Sequence, residues 1–206
     1  MTLRFLVLVS VGLIPIPGAA QSLAPDSVVY DLAPASRLVV RTGKAGLLGF
    51  AGHEHLIQAR EFSGAIVYYP GQPGASHLTV SIATEHLEVL TPPDTAEIRR
   101  VTAAMRVDVL DVAQYPEITL ISQSVEEAGD TLRVQAALTM KGQTRTVPLT
   151  VRVRMGPDTL RATTTFTVRQ SDYGIRPYRG GPGGTVRVAD AVTFDIDAIA
   201  LRRPPR

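Results

Sequence analysis

The chain has 206 residues, carries 21 Lys and Arg against 19 Asp and Glu for a formal charge of +2, and contains no cysteine. A near-balanced charge, with no basic run interleaved with aromatics, argues against nucleic-acid binding. The missing cysteines exclude disulfides, thiol chemistry and Cys-based metal sites, so burial must supply the stability.

Arg4 leads an apolar run over residues 5–16, and Gly18, Ala19 and Ala20 follow. This predicts a secretory signal peptide over residues 1–20, with an apolar run too short to span a bilayer comfortably. The mature chain is therefore expected to be periplasmic or secreted, and not an integral membrane protein. Its length suits one domain, residues 21–201, with a sizeable core.

Strands are expected over residues 28–32 and 37–42, separated by Pro34. Glycines at 43, 46, 49 and 52 predict a bulged or looped segment after them. Residues 61–69 and 77–84 then read as a hairpin around Pro70-Gly71-Gln72-Pro73-Gly74. Asp94 with Glu97 three residues on is a helix-start signature, and Ile98, Val101 and Met105 fall on one face of a helix over residues 95–107. Further strands follow over 118–125, 131–140, 144–154, 159–169 and 191–200, for eight or nine in all. The Arg/Pro tail over 202–206 is expected to be frayed.

The last four strands alternate apolar and polar residues almost without error. Val134, Ala136, Leu138 and Met140 form one row, and Val147, Leu149, Val151 and Val153 the next. Leu160, Ala162, Phe166 and Val168 form a third, and Val192, Phe194 and Ile196 a fourth. A period of two places each row on one face of a strand, so one face of the sheet is dry and the other wet. The chain is therefore all-β, an antiparallel sandwich or closed barrel.

His53 and His55 lie two apart, so in extended backbone both imidazoles project from one face, the arrangement of two metal or haem ligands. His77, His86 and carboxylates are the remaining sources of a third ligand, and solvated or hydrogen-bonded histidines are the alternative reading. No Gly-x-Ser-x-Gly elbow, His-Glu-x-x-His helix or phosphate-cradling loop occurs, which argues against an enzyme. Asp172 and Tyr173 read as turn residues.

Five short pieces in order resemble one family. They are Tyr30-Asp31-Leu32 with Ser36; Phe62-Ser63-Gly64; Val109-Leu110-Asp111-Val112 with Tyr115-Pro116-Glu117-Ile118-Thr119; Leu138 to Arg145; and Ser171-Asp172-Tyr173-Gly174-Ile175. Together they resemble the YceI family of polyisoprenoid-binding-like proteins over nearly the whole mature chain. The resemblance implies a lipocalin-like, eight-stranded antiparallel barrel with one short helix, closed over an apolar cavity that holds an isoprenoid or fatty acyl chain. It implies no cofactor and no catalysis, and makes a homodimer plausible.

On that reading the lining is expected from Leu38, Val40, Leu78, Val80, Ile82 and Leu120 in the first half of the domain. In the second half it is expected from Val134, Leu138, Leu149, Val151, Phe166, Val168, Phe194 and Ile196. The small apolar side chains of these rows, with no Trp in the chain, favour an interior with space. Two other readings stay open: a structural or stress-protective interaction protein whose barrel is filled, and a metal- or haem-binding variant using His53 and His55.

Overall fold

The computed structural model describes residues 27–45, 54–90, 95–180 and 186–204. Eleven of the twelve strand segments among the described residues build eight staves, and the twelfth, short segment pairs only with the last of them. β1 (Val28–Leu32) and β2 (Arg37–Ala45) are two halves of the first, β3 (His55–Ala59) and β4 (Phe62–Tyr68) of the second, β5 (His77–Ala83) and β6 (Leu87–Val89) of the third. After helix α1 (Thr95–Ala104) come β7 (Glu117–Ala128), β8 (Thr131–Met140), β9 (Gln143–Met155) and β10 (Thr159–Arg169). The short β11 (Arg179–Gly180) precedes the long β12 (Val186–Arg202). Every neighbouring pair is antiparallel, and the ring closes where Tyr30 to Leu32 of β1 pair with Arg202 to Ala200 of β12. The result is a closed eight-stranded barrel with one short α-helix.

The three broken staves bend at one level of the wall, each for a local reason. Between β1 and β2, Pro34 cannot donate to a ladder. There the buried Ser36 substitutes for a strand partner, its hydroxyl donating to the Ile199 carbonyl and accepting from the Ile199 N–H, both at 2.9 Å. Between β5 and β6 the buried Thr84 turns away to Tyr115 and Pro116, donating its hydroxyl to the Tyr115 carbonyl and its N–H to the Pro116 carbonyl. Arg60, between β3 and β4, gives its N–H to the His86 carbonyl, so neighbouring breaks are tied together.

Register puts the alternating rows on the inside. Val134 pairs with Leu149, Phe166 with Phe194, Phe194 with Val40, and Leu120 with both Val80 and Leu138. Paired residues in an antiparallel ladder point to the same face. A main buried cluster runs from one end of the barrel through its middle, and a smaller one of Tyr30, Leu160 and Ala200 closes the far end.

The sequence reading requires four corrections. β3 and β6 lie where no strand was expected, because residues 55–59 do not alternate and β6 is only three residues long. The helix ends its α-helical part at Ala104 and continues as a π-type turn over Met105–Val109, with the Leu110 N–H bonded to the Met105 carbonyl. β12 begins at Val186, earlier than expected, and carries a bulge between Val188 and Val192. Arg202 and Arg203, expected in a frayed tail, are held: β12 includes Arg202, and Arg203 donates its backbone N–H to the Val29 carbonyl and its guanidinium to Asp31. Residues 46–53, including the middle of the glycine-rich segment, lie outside the described residues.

Candidate functional site

One end of the barrel holds an apolar cavity of about 100 Å³. Its wall comes from inward rows of the staves: Leu38, Val40 and Thr42 of β2, Ile57 and Ala59 of β3, Ile82 of β5, Leu87 of β6, Ile118 of β7, Met140 of β8, and Val192, Phe194 and Ile196 of β12. The lid comes from the segment after α1, through Met105, Val109 and Leu110. A π-type turn closes i to i+5 bonds, and here Met105 and Val109, at its two ends, both face the cavity. Ile98 and Val101 of α1 pack behind them, on the face that the helical spacing predicts.

Two cations tether the lid, one binding a lid carbonyl and the other reaching out from the lid to a carbonyl beyond it. Lys141 at the tip of the β8–β9 hairpin donates from Nζ to the Val109 carbonyl at 2.9 Å, and Arg106 donates from Nη2 to the Glu85 carbonyl at 2.5 Å. Lys141 and Gly142 both adopt left-handed backbone, φ 47° and 71°, as a two-residue hairpin turn requires. The Tyr115 ring lies directly against Gly142. Asp111, at φ 52°, ends the lid, and its carbonyl accepts the N–H groups of Gln114 and Tyr115. Two of the five sequence pieces, the third and the fourth, therefore meet at this end.

The fifth supplies the remaining wall. After β10 a single 3-10 turn, Gln170–Tyr173, is fixed by Gln170 Nε2 donating to the Ala189 carbonyl and by Ser171 donating from N and Oγ to the Asp190 carboxylate. Those bonds hold the Asp190 carboxyl below its usual range. Gln170 and Ile175 reach the cavity, and Thr42 and Gln170 are the only polar residues of its wall. No charged side chain lines it.

The turn sits where the wall is split. β9 and β10 pair only from Met155–Leu160 to Arg152–Thr163, and beyond that Thr164 donates its hydroxyl to the Thr150 carbonyl in place of a ladder bond. Outside this seam runs a larger groove of about 330 Å³, lined by residues including Arg37, Thr150, Arg152, Thr163, Asp195 and Asp197. It is open and polar, and its carboxylates are already engaged, Asp197 by Arg161 and Asp195 by Arg41 and Thr165. The Arg161 hydrogen bonds keep the Asp197 carboxyl below its usual range. The less open, uncharged cavity is therefore the better candidate for an apolar ligand. Ile196 contributes to both hollows.

Of the fourteen expected lining residues, Leu38, Val40, Ile82, Phe194 and Ile196 stand on the cavity wall. Val134, Leu138, Leu149 and Val151 are buried in the packed middle of the barrel, and Val80, Leu120, Phe166 and Val168 pack against it half-buried. The Phe166 and Phe194 rings stack with centroids 4.8 Å apart. Leu78 is half-buried toward the other end, paired with Ile66. The lid and turn residues Met105, Val109, Leu110, Gln170 and Ile175 were not on that list, although two of the quoted pieces contain Val109, Leu110 and Ile175.

His53 lies outside the described residues. His55 begins β3, and its N–H donates to Thr42 Oγ1. His86 has Nδ1 3.3 Å from Glu61 Oε1 and Nε2 3.2 Å from Glu85 Oε1, and His77 is exposed at the start of β5. Among the described residues no group of three or more His, Asp or Glu is placed to hold a metal. No helix among them is long and apolar enough to cross a membrane.

Comparison with known proteins places this geometry. The pattern of the YceI-like domain matches residues 32–200. The Escherichia coli O17:K52:H18 protein YceI is 31% identical over 94 residues, 46% of each chain, so the match spans about half the length of that curated relative. A UPF0312 protein of Pseudomonas putida is 30% identical over 140 residues, 64% of this chain and 67% of its own. Burkholderia cenocepacia BcnA shares the fold with a TM-score of 0.66 at 18% identity, over 82% of this chain and 98% of its own. A polyisoprenoid binding domain from Saccharophagus degradans does so with a TM-score of 0.60 at 14% identity, over 84% of this chain and 98% of its own. With the domain pattern running from the end of β1 to the closing strand β12, the chain belongs to the YceI-like family.

Proposed function

We propose that the protein is an exported carrier or sequestering protein that holds the end of an isoprenoid or fatty acyl chain in the capped half of the barrel and performs no catalysis. The observation that carries this is the apolar cavity under the lid, whose wall has no charged side chain. Burying hydrocarbon there contributes about 0.8 kcal/mol per methylene. The polyisoprenoid binding domain of the same fold supports the same ligand class, and the apolar leader at residues 5–16 supports export.

The size of the cavity limits what it encloses. At about 100 Å³ it is smaller than the ~150 Å³ engineered cavity that takes benzene. It therefore admits about one isoprenoid unit, and a longer chain requires the Met105–Val109 lid to move or the rest of the chain to lie outside. The packed residues Val134, Leu138, Leu149 and Val151 favour a filled interior in the middle of the barrel. That is the specific support for the rival reading, a structural or stress-protective protein.

Mass spectrometry of an organic extract of the purified protein, with titration of a fluorescent prenyl or acyl probe, tests the carrier. A stoichiometric lipid and saturable probe uptake are expected. Absence of both sinks the carrier and favours the filled barrel.

A further inference from the structure

Val107 is the most exposed large apolar side chain among the described residues, at 70%, and it belongs to the lid, between the wall residues Met105 and Val109. The lid is therefore apolar on both sides, inward to the cavity and outward to solvent. Along α1 and its continuation, Ala96, Arg99, Arg100, Ala103 and Val107 recur at helical spacing, and all of them are exposed. They lie opposite Ile98, Val101 and Met105, which face the barrel. The outer face of the lid thus carries two arginines, small residues and an apolar tip.

A second segment beside the cavity repeats the combination. Directly after the wall residue Ile175 come Arg176, Tyr178 and Arg179, all exposed, with Tyr178 at 39%. Elsewhere on the barrel the arginines are engaged: carboxylates hold Arg41, Arg60, Arg152, Arg161 and Arg203. Among the described residues no ion pair takes Arg99, Arg100, Arg176 or Arg179. The exposed acids of the two segments are Asp108 and Asp172, so four cations stand against two carboxylates. Cations whose guanidinium groups are unpaired suit phosphate, and a tyrosine with a wet hydroxyl and an apolar ring suits the boundary between headgroups and hydrocarbon.

We propose that the lid end of the barrel is a docking surface for an anionic membrane, with Val107 and Tyr178 set into the headgroup layer and Arg99, Arg100, Arg176 and Arg179 on the lipid phosphates. This rests on the carrier reading and names the partner of the same site: an apolar cargo leaves one apolar phase only for another, and docking brings the lid against the bilayer. The opposite end of the barrel exposes Met155 and Leu201, at 45% and 49%, away from the cavity. It supplies an internal control, because exposed apolar side chains alone do not make a docking surface.

The test is cosedimentation of the mature chain with vesicles of phosphatidylcholine alone and of phosphatidylcholine mixed with phosphatidylglycerol, at low and physiological salt. Binding to the anionic vesicles is expected, weaker at higher salt and about tenfold weaker on phosphatidylcholine alone. The double variant Arg99→Gln, Arg100→Gln should lose about tenfold or more on the anionic vesicles, and Val107→Ser and Tyr178→Ser about three- to tenfold each. Leu201→Ser, at the opposite end, should bind as the wild type does. All these side chains are exposed, and unchanged circular dichroism and unchanged uptake of a fluorescent prenyl probe from solution check that each variant is intact. Equal binding to both vesicles, binding to neither, or a loss with Leu201→Ser as large as with Val107→Ser overturns the docking surface, and probe uptake in the same samples leaves the carrier standing. Vesicle binding that follows the expected pattern without any probe uptake keeps the docking surface and sinks the carrier.

Discussion

A β-carbon built on Gly142 would stand 2.8 Å from Cε1 of the Tyr115 ring, so the β8–β9 hairpin tip and the segment entering β7 meet with no room for a methyl group. Gly142→Ala adds this clash to the strain of left-handed backbone at φ 71°. A loss of about 2–4 kcal/mol is expected in urea denaturation. Gly129→Ala is the control, because its φ is 65° but nothing lies within 4 Å of its Cβ position. There the loss should be about 1 kcal/mol. Equal losses would show that Tyr115 does not constrain the tip.

Gly64 illustrates a different constraint, since its backbone is ordinary strand. A Cβ there would lie 2.6 Å from the Thr79 carbonyl oxygen and against Leu32. Gly64→Ala should destabilise the barrel by about 1–3 kcal/mol, and Leu32→Ala should not rescue it, because the carbonyl cannot retreat as a side chain can. Full rescue in the double variant would place the strain on Leu32 alone.

Ser36 bonds both the carbonyl and the N–H of Ile199 across the break in the first stave. Ser36→Ala leaves a buried N–H and weakens satisfaction of a carbonyl that otherwise keeps only the Ala33 N–H. The expected loss is about 1–3 kcal/mol, with a shift in the amide exchange of Ile199 as its local signature.

The packed and hollow halves should answer overfilling differently. Val151→Trp, in the packed middle, should lower stability by about 1–3 kcal/mol and leave probe uptake unchanged. Val40→Phe, on the cavity wall, should abolish uptake with less change in stability. The opposite assignment of effects would move the ligand into the middle of the barrel.

Acid should act through three aspartates whose carboxyls the fold holds below their usual range: Asp31 through Arg203, Asp190 through Ser171 and Asp197 through Arg161. A depressed folded pKa adds stability above the unfolded value of about 4, and that stability is lost as pH falls through the folded one. Denaturation midpoints should therefore decline below about pH 4, and Asp197→Asn should flatten the decline. These groups all reach solvent, so the effect should be small and weaker in high salt. Tyr173 has the opposite sense, because burial raises its pKa. It should cost stability only as pH rises past about 10, and Tyr173→Phe should remove that limb.

Much of the barrel was legible in the chain because alternation reports which face a residue takes. The rows from Val134 to Ile196 all point inward, and hairpin turns such as Lys141-Gly142 fall where their glycines require. Height along the barrel was not legible. Val151 and Val40 have the same inward sense, yet one is packed and the other faces the cavity, and only strand pairing sets that difference. β3 and β6 escaped notice because they are short pieces of kinked staves. The lid was missed as a wall because helical spacing does not foretell the π-type turn that brings Met105 and Val109 to the cavity. The hold on Arg203 was hidden because its partner, Asp31, lies 172 residues away.

The seam between β9 and β10 has a consequence for how the molecule breathes. A ring of strands resists fraying only where its ladder is continuous, and here backbone pairing between these two strands ends at Arg152 and Thr163. Amides facing the gap on both strands should exchange with solvent through local unzipping at a lower free energy than those of the β7–β8 and β10–β12 ladders. The barrel therefore keeps two partly bare edges in its own wall, and these are where a stressed molecule would first pair with a neighbouring chain.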